Sequence, residues 1–97
     1  MLTDNSTPLL TQLGARLRAE RLARNETQGR FAARLGVSIP TLRRLEQGDP
    51  AAQIGVWFTA LEVLGRIGDA EALLAPRYSL FDAAAAPKTR QRARRKG

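Results

Sequence analysis

Between short clusters of glycine and proline, apolar residues along this chain recur every three or four positions and nowhere alternate, so the chain reads as helices without strands. The first predicted helix runs from about Pro8 to Ala23. Thr7 is its N-cap, Pro8 takes the favoured first position, and Leu10, Leu13, Leu17 and Arg21 share one face. Asn25 then tolerates a left-handed turn. A short second helix from about Gln28 to Leu35, capped by Thr27, buries Phe31, Ala32 and Leu35 and ends at Gly36. The third spans about Ile39 to Gln47, with Gly48 closing it and Pro50 barring continuation. The fourth, Gln53 to Leu64, lines up Ile54, Trp57 or Phe58, Leu61 and Leu64 as a core-facing stripe. Asp69 caps a fifth short helix that carries Ala70, Leu73 and Leu74 and stops at Pro76.

After Pro76 the periodicity gives out. RYSLFD is a brief apolar cluster, AAAAPK a low-complexity hinge, and KTRQRARRKG has too little apolar surface to fold alone. The expected organisation is an N-terminal arm over 1–8, a helical domain over 9–76, an apolar cluster and hinge over 77–87, and a disordered basic tail over 88–97.

The joint between helices two and three, AARLGVSIPTLRRLE, has the spacing of a helix-turn-helix: a short helix, a glycine, two linking residues and a second helix. Ala32 is small where the helices cross closely, Gly36 turns the chain, and Val37, Leu42 and Leu45 fill the angle between them.

Charge strengthens this picture through its distribution. The 97 residues carry a net charge of +7, but residues 88–97 hold six positive charges and no negative one, while residues 1–87 balance ten against nine. Within that body, residues 16–44 hold eight arginines against Glu20 and Glu26, so one half can face phosphate. With no cysteine and no histidine, and carboxylates scattered singly, no disulfide, metal site, cofactor or acid–base pair is expected, and an enzyme is the least supported class. No apolar run approaches a membrane span and MLTDNSTPLL lacks a signal-peptide pattern, so a cytoplasmic location is expected.

From about Leu17 to Gly65 the chain resembles the Xre (Cro/C1-type, lambda-repressor-like) helix-turn-helix family. The resemblance rests on a basic first helix, Thr-Gln opening helix two, Ala-x-x-x-Gly-Val-Ser across the turn, and Leu-Glu-x-Gly closing helix three. It implies an all-α, five-helix DNA-binding domain that acts as a homodimer on a palindromic double-stranded operator. It also implies roles. Arg21 and Glu46 match a buried structural ion pair between helices one and three. Gln28 matches a glutamine that donates to a backbone phosphate and steadies the recognition helix, with Thr27 beside it capping and touching phosphate together. Ser38, Ile39, Pro40, Thr41 and Arg44 match positions facing the major groove, and Arg43 reaches a base or a phosphate.

Ile39 and Pro40 stand where better-known relatives often carry glutamines. They suit thymine methyl groups, while Arg43 or Arg44 can fork onto guanine, so a T beside a G is expected in each half-site. Pro40 falls in the first turn, where its missing N–H has no intrahelical partner, but it disfavours helical geometry at Ile39 and leaves the Ser38 cap only the Thr41 N–H. Helix three is therefore expected to start one residue late. Glu26 replaces the family's usual apolar residue, which predicts a more open joint between helices one and two.

Ile67, Leu73 and Leu74 either form the dimer contact or close the monomer core. Tyr78, Leu80 and Phe81 either meet a partner or dimer mate or fold back on helix four. The tail tracks DNA phosphate, meets an acidic partner, or only solubilises. Finally, GDPAAQIGVWFTALEVLGRIGDAEALL resembles the HipB-like antitoxins encoded beside HipA-like kinase toxins, which repress their own operon and hold the toxin in a complex. The alternatives are a free-standing Xre-type repressor and a protein-binding adaptor whose helix-turn-helix is vestigial.

Overall fold

The computed structural model describes residues 5–77, so the basic tail and the Tyr78, Leu80 and Phe81 cluster lie outside the described residues. Among the described residues four α-helices and one short 3-10 helix occur in order: α1 Ser6–Ala23, α2 Gln28–Leu35, α3 Ile39–Glu46, α4 Ile54–Val63 and the 3-10 helix Ile67–Ala72. Among the described residues there is no strand, and no helix is long and apolar enough to cross a membrane.

The short helices begin and end where their sequence directs. At the start of α2, Thr27 is in extended backbone and its Oγ1 accepts from the Arg30 N–H at 3.1 Å. At its end Gly36 adopts φ 74°, the left-handed conformation that turns the chain toward α3. Ser38 caps α3 by accepting from the Thr41 N–H at 3.2 Å. Pro40 does not delay the helix as expected: Ile39 is its first residue, because the Ser38 cap holds the turn although proline removes one donor.

Three other expectations are corrected. α1 begins at Ser6 rather than Pro8, so the stretch read as an arm already contributes helical residues, and Thr7 lies inside the helix instead of capping it. Pro8 is then the third helical residue, still in the turn whose N–H groups lack intrahelical acceptors. The fifth helix is a 3-10 helix starting at Ile67. Asp69 lies within it, paired with Arg66 at 2.8 Å, rather than at its cap. Leu73 and Leu74 fall beyond its end and are exposed, so they do not close the monomer core.

That core gathers Leu17, Phe31, Ala32, Leu35, Leu42, Leu45, Ala60 and Leu64, with Val37, Val56, Trp57 and Val63 packed against it. Phe31, Leu42 and Leu45 are fully buried, each worth about 1.5–3 kcal/mol relative to exposure. α3 packs on both α1 and α2, and α4 packs on α2 and the 3-10 helix. On α4, Trp57 rather than Phe58 reaches the core, and Ile54 stays exposed despite its place in the apolar stripe.

On α1 the buried stripe is Gly14, Leu17 and Arg21, while Leu10 is half-buried and Leu13 exposed. Backbone proximity explains the rotation of this face. A Cβ built on Gly14 would lie 2.5 Å from the Glu46 carbonyl oxygen, and one on Gly48 would lie 2.5 Å from the Leu10 carbonyl oxygen. α1 and the end of α3 therefore touch main chain to main chain, and two facing glycines make that possible.

A polar clasp ties α1 to the C-terminal elements. Arg24 donates to the Leu64 carbonyl at 3.1 Å, and Glu20 pairs with both Arg24 and Arg66. Asp69 and then Glu20 raise the Arg66 guanidinium above its ordinary pKa, because each carboxylate favours the charged form of the arginine.

Candidate nucleic-acid interface

The face that α3 shows to solvent is set by its core contacts. Leu42, Leu45 and Glu46 are buried, and at about 100° per residue the opposite pole of the helix falls between Pro40 and Arg44. Ile39 and Arg43 flank this pole on the side toward α2. Thr41 lies on the other flank, toward the loop that leads into α4. Ile39 Cδ1 lies 3.7 Å from where a Gly29 Cβ would be, so the apolar tip of α3 rests on the glycine-bearing first turn of α2.

The expected ion pair is present and buried. Arg21 Nε donates to Glu46 Oε2 at 2.7 Å and its Nη2 to Glu46 Oε1 at 3.2 Å, while Nη1 donates to the Glu26 carbonyl at 2.8 Å. With both partners nearly solvent-free, this bidentate pair sets the orientation of α3 on α1. The Glu26 main chain is thereby drawn in, and its carboxylate pairs with Arg34. The joint between α1 and α2 is closed rather than open: the carboxylate that looked out of place bonds across to α2.

Gln28 is more committed than its sequence position suggested. Its Nε2 donates to Glu46 Oε1 at 3.3 Å and its Oε1 accepts from Arg43 Nε at 3.3 Å. A continuous chain of bonds therefore runs from Arg21 through Glu46 and Gln28 to Arg43. The Gln28 amide has a second hydrogen for a phosphate, and Thr27 stands exposed beside it. Arg43 is thus held toward the start of α2, beside Gln28 and Thr27.

The Arg44 carbonyl accepts from the Asp49 N–H at 2.9 Å, but its guanidinium makes no hydrogen bond or ion pair among the described residues. It borders a notch of about 380 Å³ together with Val37, Ser38, Thr41, Ala51 and Gln53. The two arginines that sequence leaves interchangeable are therefore distinct: Arg43 is tethered, and Arg44 projects freely beside Pro40. Ser38 is less available. Its hydroxyl accepts from the Thr41 N–H and donates to Thr41 Oγ1 at 3.0 Å, so it serves the helix cap.

Thr27, Gln28, Ile39, Pro40, Arg43 and Arg44 thus converge on one surface, with Ser38 and Thr41 at its edge. Ile67, at the start of the 3-10 helix, and Leu73 and Leu74, just past its end, are exposed. Sequence reasoning had Gln28 steadying the recognition helix but missed the partners through which it bridges, the seat Gly29 offers Ile39, and the α3–α4 loop beside Arg44. The first two arise from contacts across a turn that leave no local signal. The third had one: Gln53 is not a favoured N-cap residue type, and without a side-chain cap bond only Val56, of the Ile54, Gly55 and Val56 N–H groups, finds an acceptor among the described residues, the Gln53 carbonyl.

A family model described as helix-turn-helix domain matches residues 12–74, a span that contains every residue of this surface. No curated protein and no solved structure matches the chain.

Proposed function

Because the chain belongs to the helix-turn-helix domain family, we propose that it is a sequence-specific transcriptional regulator that binds a palindromic operator as a homodimer and represses its own operon. One observation carries the reading. The outward pole of α3 presents Pro40 and an Arg44 guanidinium without a partner among the described residues, flanked by the capped N-terminus of α2 and a tethered Arg43. A helix lying in the major groove reads base edges from such a pole while its neighbour's N-terminus holds phosphate. Arg44 forks onto guanine, Ile39 and Pro40 press on a thymine methyl, and Thr27, Gln28 and Arg43 serve the sugar–phosphate backbone. Exposed Ile67 and Leu74, with Leu73, supply a self-complementary apolar contact for the two-fold pairing that two half-sites require.

The antitoxin role goes one step further. It is supported by the Gly-Asp-Pro joint and the Ile-Gly-Val-Trp opening of α4, which resemble those of HipB-like proteins, and it gives the chain a second, protein partner, a HipA-like kinase toxin. Footprinting on the DNA upstream of the gene tests the regulator. Arg44→Ala is expected to weaken protection of the operator and relax its base preference, and Gln28→Ala to weaken protection, whereas an unchanged footprint in both sinks the assignment. Co-purification with the product of the neighbouring gene tests the antitoxin role separately.

A further inference from the structure

Away from the α2–α3 surface, a groove of about 640 Å³ lies between α1, α4 and the 3-10 helix, walled mainly by apolar side chains that include Leu13, Ile54, Trp57, Phe58, Leu61 and Leu73. Ile54 is 62 % exposed and Leu73 60 %, so the groove stands open among the described residues. We propose that its occupant is the chain's own Tyr78-Ser79-Leu80-Phe81 segment, folded back within one molecule.

Three observations select this occupant. First, Leu73 is part of the wall and the described chain runs only four residues further, to Arg77. At most about 14 Å of extended backbone separates the two, so Tyr78 starts within reach of the groove. Second, Tyr78, Leu80 and Phe81 are the only large apolar residues after Arg77. The rest of the chain beyond them is mainly alanine, proline and the basic run, none of which fills such a groove. Third, a segment tethered this closely acts at an effective concentration in the millimolar range, far above what a free partner supplies. Ile67 and Leu74 do not line the groove. A two-fold contact centred on them meets the groove only at Leu73 and leaves the rest of it free for the segment, and the inference does not depend on how the protein binds DNA.

Trp57 is the only tryptophan and lies in the groove wall, so it reports occupancy directly. The test compares the full chain with its Leu80→Ser/Phe81→Ser variant by Trp57 emission and acrylamide quenching over about a hundred-fold range of protein concentration, since mass action separates intermolecular from intramolecular contact. The full chain is expected to show emission to the blue of the variant and weaker quenching, both independent of concentration. A peptide spanning residues 77–87 is expected to restore the blue shift when added to the variant. Neither substitution replaces a residue of the described core, and circular dichroism verifies that the variant is folded. Identical emission and quenching in the two proteins overturns the proposal. A blue shift that fades on dilution also overturns it, by assigning the groove to a second copy.

Discussion

Gly14→Ala sets helix propensity against tertiary packing and gives opposite signs for the two. Gly14 lies in the middle of α1, where alanine is favoured over glycine by about 0.8–1.0 kcal/mol. In the folded domain the added methyl would sit 2.5 Å from the Glu46 carbonyl oxygen and 2.7 Å from the Gly48 nitrogen, about 1 Å inside ordinary contact. Both are main-chain atoms at the end of α3, so no side-chain rotation relieves the overlap and the helices must separate. Overpacking of this kind costs about 1–3 kcal/mol. Separation also strains the neighbouring Arg21–Glu46 pair, so packing outweighs propensity and a net loss of about 1–2 kcal/mol is expected. For a domain of this size that lowers Tm by about 4–15 °C. The assay is thermal and urea unfolding followed by circular dichroism, with Gly55→Ala as control. Gly55 is also helical, but no atom lies within 4 Å of its added Cβ, and it should be neutral or slightly stabilised. Since the shift tilts α3, operator affinity should fall as well, although no residue of the α2–α3 surface has changed. A Gly14→Ala protein as stable as the wild type would refute the close approach.

The same geometry gives other expected outcomes. Glu46→Ala strands the buried Arg21 guanidinium and is expected to destabilise by about 3–5 kcal/mol in urea unfolding, with much of the loss recovered when Arg21→Met is added. Ser38→Ala removes the cap of α3 and should cost about 1 kcal/mol, read as a lower urea midpoint at unchanged m-value. Glu20→Ala breaks only solvent-exposed pairs and should cost no more than about 1 kcal/mol, a loss that shrinks further in high salt. In DNA titrations, Arg43→Ala should weaken all sequences alike and reduce the log–log salt slope by about 1, whereas Arg44→Ala should relax discrimination at one base pair.

Much of this protein is determined locally and is readable from the sequence alone. Thr27, Gly36 and Ser38 act within a few residues of themselves through backbone geometry and capping hydrogen bonds, so α2 and the turn into α3 fall where their residue types direct. The start of α1 is less legible because proline is tolerated throughout the first turn, so it marks that turn without marking its first residue. The orientation of the faces depends on the tertiary structure. Gly14 against Gly48 turns α1 so that Leu13 faces out, and Trp57 rather than Phe58 meets the core. Tertiary contact also separates Arg43 from Arg44. They are adjacent and chemically identical, but only Arg43 meets the Gln28 amide, fifteen residues away in sequence, which leaves Arg44 as the cation without a partner among the described residues at the pole of α3. Periodicity shows that a helix has an apolar side, but the angle at which that side docks is set by which backbones can approach, a property of residue pairs distant in sequence.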